Sequence, residues 1–383
     1  MAALQRCTRS LFRRNGLLNG LRAYTMTSSN HPANLTVDDL GKLYKVDKNT
    51  VEVLNYKQLM PIQFTDLLKT LDECVWMCRS PLLEAINCIK QQVNPTSPML
   101  RIMLWGRFGT GKTVTLNQLL HYGFDEGFVI VHLPTTLRWN RLIKEVQMSS
   151  YKPGRVDLPD YAVEILQNFK HQNQPLWKTL SELKTERDYN WSKVEKTVAG
   201  RPLTDIVEMG LTARFLASDC VGALFKELRR HANEGSIKLM VAIDRANSLY
   251  AGKTIHQKPD FSRVKAGELS LVVHTKNLFR TNWKNGVCVL VGDEAEFSKN
   301  RRDTTTIKLF TPLEMFGEEG FDDIEPFIPI ETGIYTKEEA DVIYDYFFEM
   351  NWLTKAKSPE ARKQLYHLSA YNPFNYERLC AFN

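Results

Sequence analysis

Arg101-Ile102-Met103-Leu104-Trp105-Gly106-Arg107-Phe108-Gly109-Thr110-Gly111-Lys112-Thr113 is the stretch on which the fold of this 383-residue chain turns. A short apolar run ends at Gly106, glycines recur at 109 and 111, and helical periodicity opens at Lys112. Gly106 to Thr113 match G-x-x-x-x-G-K-[ST] with a strand before and a helix after. Glycines let such a loop take positive φ and bring backbone N–H groups close to phosphate oxygens. The helix N-terminus adds a partial positive charge of roughly half a unit. Lys112 supplies a point charge for the β- and γ-phosphates, and the Thr113 hydroxyl is a ligand for Mg²⁺. Gly106, Arg107, Phe108, Gly109, Thr110, Gly111, Lys112 and Thr113 are therefore the candidate nucleotide-binding residues.

Working outward, an apolar strand is expected over 128–133, so that strand, glycine loop, helix and strand form a βαβ unit. Residues 239–243 and 287–291 are further unbroken Val/Ile/Leu-rich runs, which suit parallel strands covered on both faces. Asp244 closes the first of these and is the candidate metal-side acid, holding Mg²⁺ through water. ATPases of the additional-strand class usually follow this Asp with a Glu that polarises water. Here Arg245 follows, and a guanidinium cannot act as a base. Asp293 and Glu294 are the other acids within reach of a γ-phosphate, or else two solvated loop acids. No Asn-Lys-x-Asp guanine reader follows any strand, so these residues leave ATP and GTP both open. The long spacing from Lys112 to Asp244, with helices beyond, is similar to the additional-strand or STAND architecture.

Before the loop, apolar residues at three- and four-residue spacing predict a helix over 64–92, and two prolines break the pattern over 93–98. A polar, helically periodic insertion is expected over 139–202. After 325–329 the chain reads as helical to its end, with Thr336 and Glu339 as a capping box. The expected organisation is a transit peptide and linker over 1–37, a helical segment over 38–98, a P-loop domain over 99–300 and a C-terminal helical lid over 301–383.

Charge is distributed unevenly. The whole chain carries 50 Lys and Arg against 44 Asp and Glu, a formal +6. Arg6, Arg9, Arg13, Arg14 and Arg22 precede the first acid, Asp38, and without them the balance is close to neutral. An Arg-rich, hydroxyl-rich, acid-free leader with Leu11, Phe12, Leu17, Leu18 and Leu21 on one helical side fits mitochondrial import, with cleavage near Tyr24. Arg13 and Arg14 interrupt the apolar block that a secretory signal needs. At 43% apolar and 25% charged residues the chain is neither disordered nor low in complexity. No apolar run approaches the roughly 18 residues that cross a bilayer. The seven cysteines are scattered in apolar surroundings and read as buried reduced thiols rather than metal ligands.

Further motifs stand beside the glycine loop: Gly41-Lys42-Leu43-Tyr44, Val241-Ala242-Ile243-Asp244 with Asn247, and Gly317-Glu318-Glu319-Gly320-Phe321-Asp322. Pro326-Phe327-Ile328-Pro329-Ile330, Asn351-Trp352-Leu353 and Asn372-Pro373 with Glu377-Arg378 follow in collinear order. In these residues the chain resembles the death-associated protein 3 family, P-loop proteins of the mitochondrial small ribosomal subunit. The resemblance implies a matrix protein of the mitoribosome that supports mitochondrial translation and contacts small-subunit proteins, rRNA and large-subunit proteins across the interface. It also implies bound GTP or GDP with Mg²⁺, at most weak GTPase activity, and a link to apoptosis. An active STAND-type NTPase switch of the matrix is the alternative. For rRNA the sequence offers Lys226, Arg229, Arg230 and His231 on one helix and Lys299, Arg301 and Arg302 in a loop, or these are simply solvated charges. For protein contacts it offers Trp139, Trp177, Tyr189 and Trp191, or these are core aromatics. Asn372-Pro373 is either a lid contact near the base or a plain helix start.

Overall fold

The unbroken apolar runs form one parallel sheet in the computed structural model, which describes residues 24–142, 144–294, 309–353 and 358–382. Its strands are β1 (Leu100–Trp105), β2 (Val129–Leu133), β3 (Leu239–Ile243), β4 (Gly286–Val291) and β5 (Ile328–Glu331). They lie in the order β5-β1-β4-β3-β2, every neighbouring pair parallel. β4 thus stands between the strand that feeds the glycine loop and the strand that ends at Asp244.

Successive strand residues point to opposite faces, and both faces are covered. Met103, Val129, Val131, Val241, Ile243 and Leu290 pack with the helices Pro159–Gln172 and Ala217–Asn233. Ile102, Leu104, Ile130, Met240, Ala242 and Val289 pack with the helices Lys112–Asp125 and Ser80–Gln92. A third cluster joins Tyr344, Phe347, Tyr366 and Tyr376 of the C-terminal helices to Leu43, Leu71 and Met77.

Two sequence expectations need correction. Residues 64–92 are not one helix: Ile62–Leu71 ends where Asp72 turns left-handed (φ 55°), and Cys74–Met77 pairs antiparallel with Leu43–Val46. Cys74 to Cys78 is a continuous apolar run, and such a run is ambiguous between helix and strand by periodicity. The C-terminal part is not wholly helical either, because β5 passes through Pro329. β5 is an edge strand bonded only to β1, where a residue without an N–H costs no ladder bond. The expected capping box is present, with Glu339 N donating to Thr336 Oγ1 at 3.1 Å and Thr336 N to Glu339 Oε2 at 3.0 Å.

The expected leader lies outside the described residues up to 23. From Tyr24 onward the chain is attached to the body: Thr27 N donates to Leu43 O, Leu43 N to Thr25 O, and the Tyr24 ring meets Tyr346 edge-on. Among the described residues no helix is long and apolar enough to cross a membrane. Cys74, Cys78, Cys220, Cys288 and Cys380 are buried and Cys88 is half-buried. Burial raises the thiol pKa of Cys78 and Cys288 to about 12, which keeps both protonated.

Candidate nucleotide site

The glycine loop leaves β1 at Trp105 and enters the Lys112–Asp125 helix at Gly111, which sits left-handed at φ 103°. Gly106 and Gly109 also have positive φ, at 133° and 80°. Space excludes side chains there as well. A Cβ on Gly106 would lie 2.6 Å from the Thr332 carbonyl oxygen, and one on Gly109 would run into Asn372 Oδ1 and approach Phe374 Cβ to 2.8 Å. The C-terminal segment is therefore pressed directly against the loop. Asn372 Nδ2 donates to Phe108 O at 2.8 Å, Phe374 N to Gly109 O at 3.1 Å, and the Phe108 and Phe374 rings meet edge-on at 4.9 Å. Thr110 Oγ1 reaches Thr332 Oγ1 just past β5 at 2.8 Å.

Lys112 is buried, and its ammonium donates to Gly106 O at 2.6 Å and Arg107 O at 2.8 Å. Desolvation lowers its pKa, while Glu294, Asp293 and Asp244 oppose the shift. Thr113 Oγ1 donates to Asp244 Oδ2 at 2.7 Å, so the loop hydroxyl and the β3 acid stand side by side. Burial pushes the Asp244 carboxyl up to about 6, against the hydrogen bond from Thr113 and the charge of Arg245. Arg245 is left-handed (φ 59°), donates its amide to Asp244 Oδ1 at 2.8 Å, and pairs through Nε with Asp293 Oδ2 at 3.0 Å. Asn247 ties down Asp293, donating to its carbonyl at 2.8 Å and accepting from its amide at 2.9 Å. The Glu294 carboxylate accepts a hydrogen bond from the Phe108 amide of the loop.

These groups open into a cavity of about 410 Å³ whose lining also includes an apolar cleft. Phe64, Leu67 and Val75 from the segment before the loop, and Tyr335, Ile343, Tyr346, Phe347, Phe374 and Glu377 from the C-terminal segment, contribute to it. Arg79 clasps the two sides. It donates to Thr110 O, Gly333 O and Ile334 O, forms a bidentate pair with Glu339 at 3.0 and 3.1 Å, and lies 5.0 Å above the Tyr335 ring.

The arrangement suits a nucleoside di- or triphosphate with Mg²⁺. Three left-handed glycines shape the loop around backbone donors, Lys112 adds a cation, and Thr113 with Asp244 offers the hard oxygen ligands that Mg²⁺ takes. Among the described residues no cluster of three or more His, Cys, Asp or Glu side chains could hold a metal, so phosphate oxygens and water would complete the coordination sphere. The phosphate-facing groups have protein partners of their own, Lys112 on loop carbonyls and the Phe108 amide on Glu294, which a ligand would exchange for its own oxygens.

The structure brings together every loop residue expected from sequence, with Asp244, Asp293 and Glu294. Asn372 both caps its helix, accepting from Asn375 N at 3.2 Å, and touches the loop; its contact is with Phe108, at the phosphate end. Arg79 and Thr332 were not identifiable from sequence: Arg79 meets partners 31 and 260 residues away, and no local pattern encodes that meeting. On the basic helix, Arg229 and Arg230 have internal partners. Arg230 pairs with Glu227 and Glu234, and Arg229 donates to Asn277 O. The other basic cluster, Lys299, Arg301 and Arg302, lies outside the described residues. Trp139 and Trp191 are buried, with Tyr189 stacked on Trp191 at 5.3 Å and Trp177 packed on the same cluster, so these aromatics are core rather than docking surface.

A sequence model of the mitochondrial ribosomal death-associated protein 3 family matches residues 76–379. The chain is 34% identical over 364 residues to the small ribosomal subunit protein mS29 of Bos taurus, covering 94% of this chain and 89% of that protein. Against the mS29 protein of Mus musculus it is 34% identical over 363 residues, covering 94% and 90% respectively.

Proposed function

The chain belongs to the mitochondrial ribosomal death-associated protein 3 family, and on that premise we propose that it is a structural constituent of the mitochondrial small ribosomal subunit that supports translation in the matrix. The observation that carries this reading is collinear similarity to mS29 proteins over 94% of the chain. Neighbouring ribosomal proteins provide most of its docking surface, a reading supported by the internal partners of Arg229 and Arg230 on the basic helix. The leader directs import and is removed near Tyr24. Sedimentation of a mitochondrial lysate tests the assignment: the protein is expected to pellet with small subunits, and recovery in the free fraction while small subunits pellet refutes it.

The chain also binds GTP or GDP with Mg²⁺ in a P-loop NTPase site of the additional-strand type. Support comes from β4 lying between the loop strand and the Asp244 strand, and from the 2.7 Å contact of Thr113 with Asp244. Lys112 and the loop amides hold phosphate oxygens, Thr113 and Asp244 face the metal, and the helices after 336 cover the cleft as a lid. Turnover is slight or nil. Arg245 stands where a water-polarising Glu would, Asp293 is held by Arg245, and Glu294 leans on the loop amide. The nucleotide is accordingly an architectural ligand or a slow assembly switch.

The lid contact from Phe374 N to Gly109 O favours a second reading, an active STAND-type switch. Single-turnover hydrolysis separates the two. A rate above about 1 s⁻¹, within the ordinary enzyme range, that collapses in Asp244→Ala supports the switch.

A further inference from the structure

The cavity that holds the glycine loop is also lined by the apolar side chains Phe64, Leu67, Tyr346 and Phe347. Such surfaces suit the faces of a flat heteroaromatic ring. Besides Asp244, Asp293 and Glu294 at the loop, one more carboxylate, Glu377, lines the same cavity. Glu377 stands on the helix Pro373–Phe382, one turn beyond Phe374, whose amide donates to Gly109 O at 3.1 Å. Residues three apart share a helix face, and both 374 and 377 line the cavity. The nearest cation in sequence, Arg378, lies over the Phe374 ring at 5.5 Å and makes no ion pair with Glu377. Among the described residues no hydrogen bond or ion pair reaches the Glu377 carboxylate. Desolvation raises its pKa to about 7, with Asp66 adding to the rise and Arg378 opposing it. A half-buried acceptor without a donor is costly, and a ligand that brings N–H groups to it is bound preferentially.

We propose that Glu377 reads the base of the bound nucleotide, accepting hydrogen bonds from N1–H and the exocyclic amino group of guanine. The pairing is chemically selective. Guanine offers two adjacent N–H donors to an ionised carboxylate, whereas the matching edge of adenine offers one donor and a ring-nitrogen lone pair that the carboxylate repels. Glu377 is thus the specificity-determining residue that a chain without an Asn-Lys-x-Asp motif uses in its place. This rests on the nucleotide reading above and assigns to that site its base preference.

The test is a set of titrations of GDP, ADP and xanthosine diphosphate into the full chain with Mg²⁺ at pH 8.5, where the carboxylate is ionised. The unsubstituted chain should bind GDP at least about tenfold tighter than ADP. Glu377→Gln should weaken GDP by roughly 10- to 100-fold, the range of a hydrogen bond to a charged group. The same variant should favour xanthosine diphosphate over GDP, because a Gln amide can donate to the 2-oxo group that replaces the amino group. Glu377→Ala should lose GDP affinity without gaining the xanthine ligand, and loss of packing alone cannot produce that contrast. Lys112→Ala should weaken all three ligands alike and keep their order. A Glu377→Gln chain with an unchanged GDP-to-xanthosine-diphosphate ratio, or an unsubstituted chain that prefers ADP, overturns the base assignment and leaves the phosphate site standing. A folded chain that binds none of the three overturns the nucleotide reading and this inference with it.

Discussion

Asp244→Asn should make the ligand-free protein more stable while weakening its hold on Mg²⁺. Asp244 is 5% exposed, with the Thr113 hydroxyl at 2.7 Å and the Arg245 amide at 2.8 Å. Burial raises its carboxyl from the ordinary 3.8 to about 6, so the folded state disfavours the ionised form. A rise of that size is worth ~3 kcal/mol at ~1.4 kcal/mol per pH unit. The sign follows from proton uptake: between pH 4 and 6 the folded chain holds a proton that the unfolded chain has released. Stability from this group is therefore present in acid and lost as pH rises through about 6. Asn keeps the shape, accepts from the Arg245 amide, can donate to Thr113 Oγ1, and carries no charge to desolvate. At pH 8 without nucleotide the variant should be more stable by about 2 to 3 kcal/mol, and the gap should close as pH falls from 6 to 4. Urea titrations of both proteins at pH 8, 6 and 4.5 measure it, and taking the difference cancels the groups the two share. Saturating Mg²⁺ and GDP should reverse the order, since a cation needs the ionised oxygen. A variant no more stable than its parent at pH 8, or a gap independent of pH, would refute the reasoning.

Lys112→Ala should cost about 2 kcal/mol or more of nucleotide affinity, roughly 30-fold, through loss of a charge-assisted phosphate contact; unchanged affinity by calorimetry refutes the site. Arg79→Ala should loosen the C-terminal helices, because it leaves Glu339, half of a largely buried ion pair, without its partner. A cost of about 3 kcal/mol is expected, read as faster limited proteolysis within 309–382, and an unchanged cleavage rate contradicts the clasp. Gly109→Ala should weaken nucleotide binding and lid packing together, because φ 80° and the approach of Phe374 Cβ to 2.8 Å leave no room for a methyl. Protein recovered from mitochondria should begin near Tyr24 by N-terminal mass spectrometry, and an intact Met1 refutes removal of the leader.

Much of the phosphate end was legible because its signal is local. Gly106 to Thr113 are contiguous, and the glycine positions follow from backbone conformation that other residues adopt only with strain. The place of Asp244 beside the loop was legible because it closes an apolar strand of the same parallel sheet, and the structure sets it against Thr113. The cleft was not. Arg79, Thr332 and Glu377 come from three distant segments, and the long-range contacts that bring those segments together carry no sequence period. Trp139 and Trp191 were left open between core and surface for a related reason: an aromatic in a polar stretch reads equally well either way until the residues packed around it are known.

The amino-acid sequence by itself determined the sheet and the loop, since unbroken apolar runs need cover on both faces and closely spaced glycines before a helix set a tight, positive-φ turn. Only the tertiary structure decided what lies opposite that loop. The C-terminal helices return to press Asn372 and Phe374 on Gly109, Arg79 binds the two sides, and Glu377 is left facing an apolar cleft. Long-range packing makes those contacts, and its energy comes from buried area and matched partners rather than from any order of neighbouring residues.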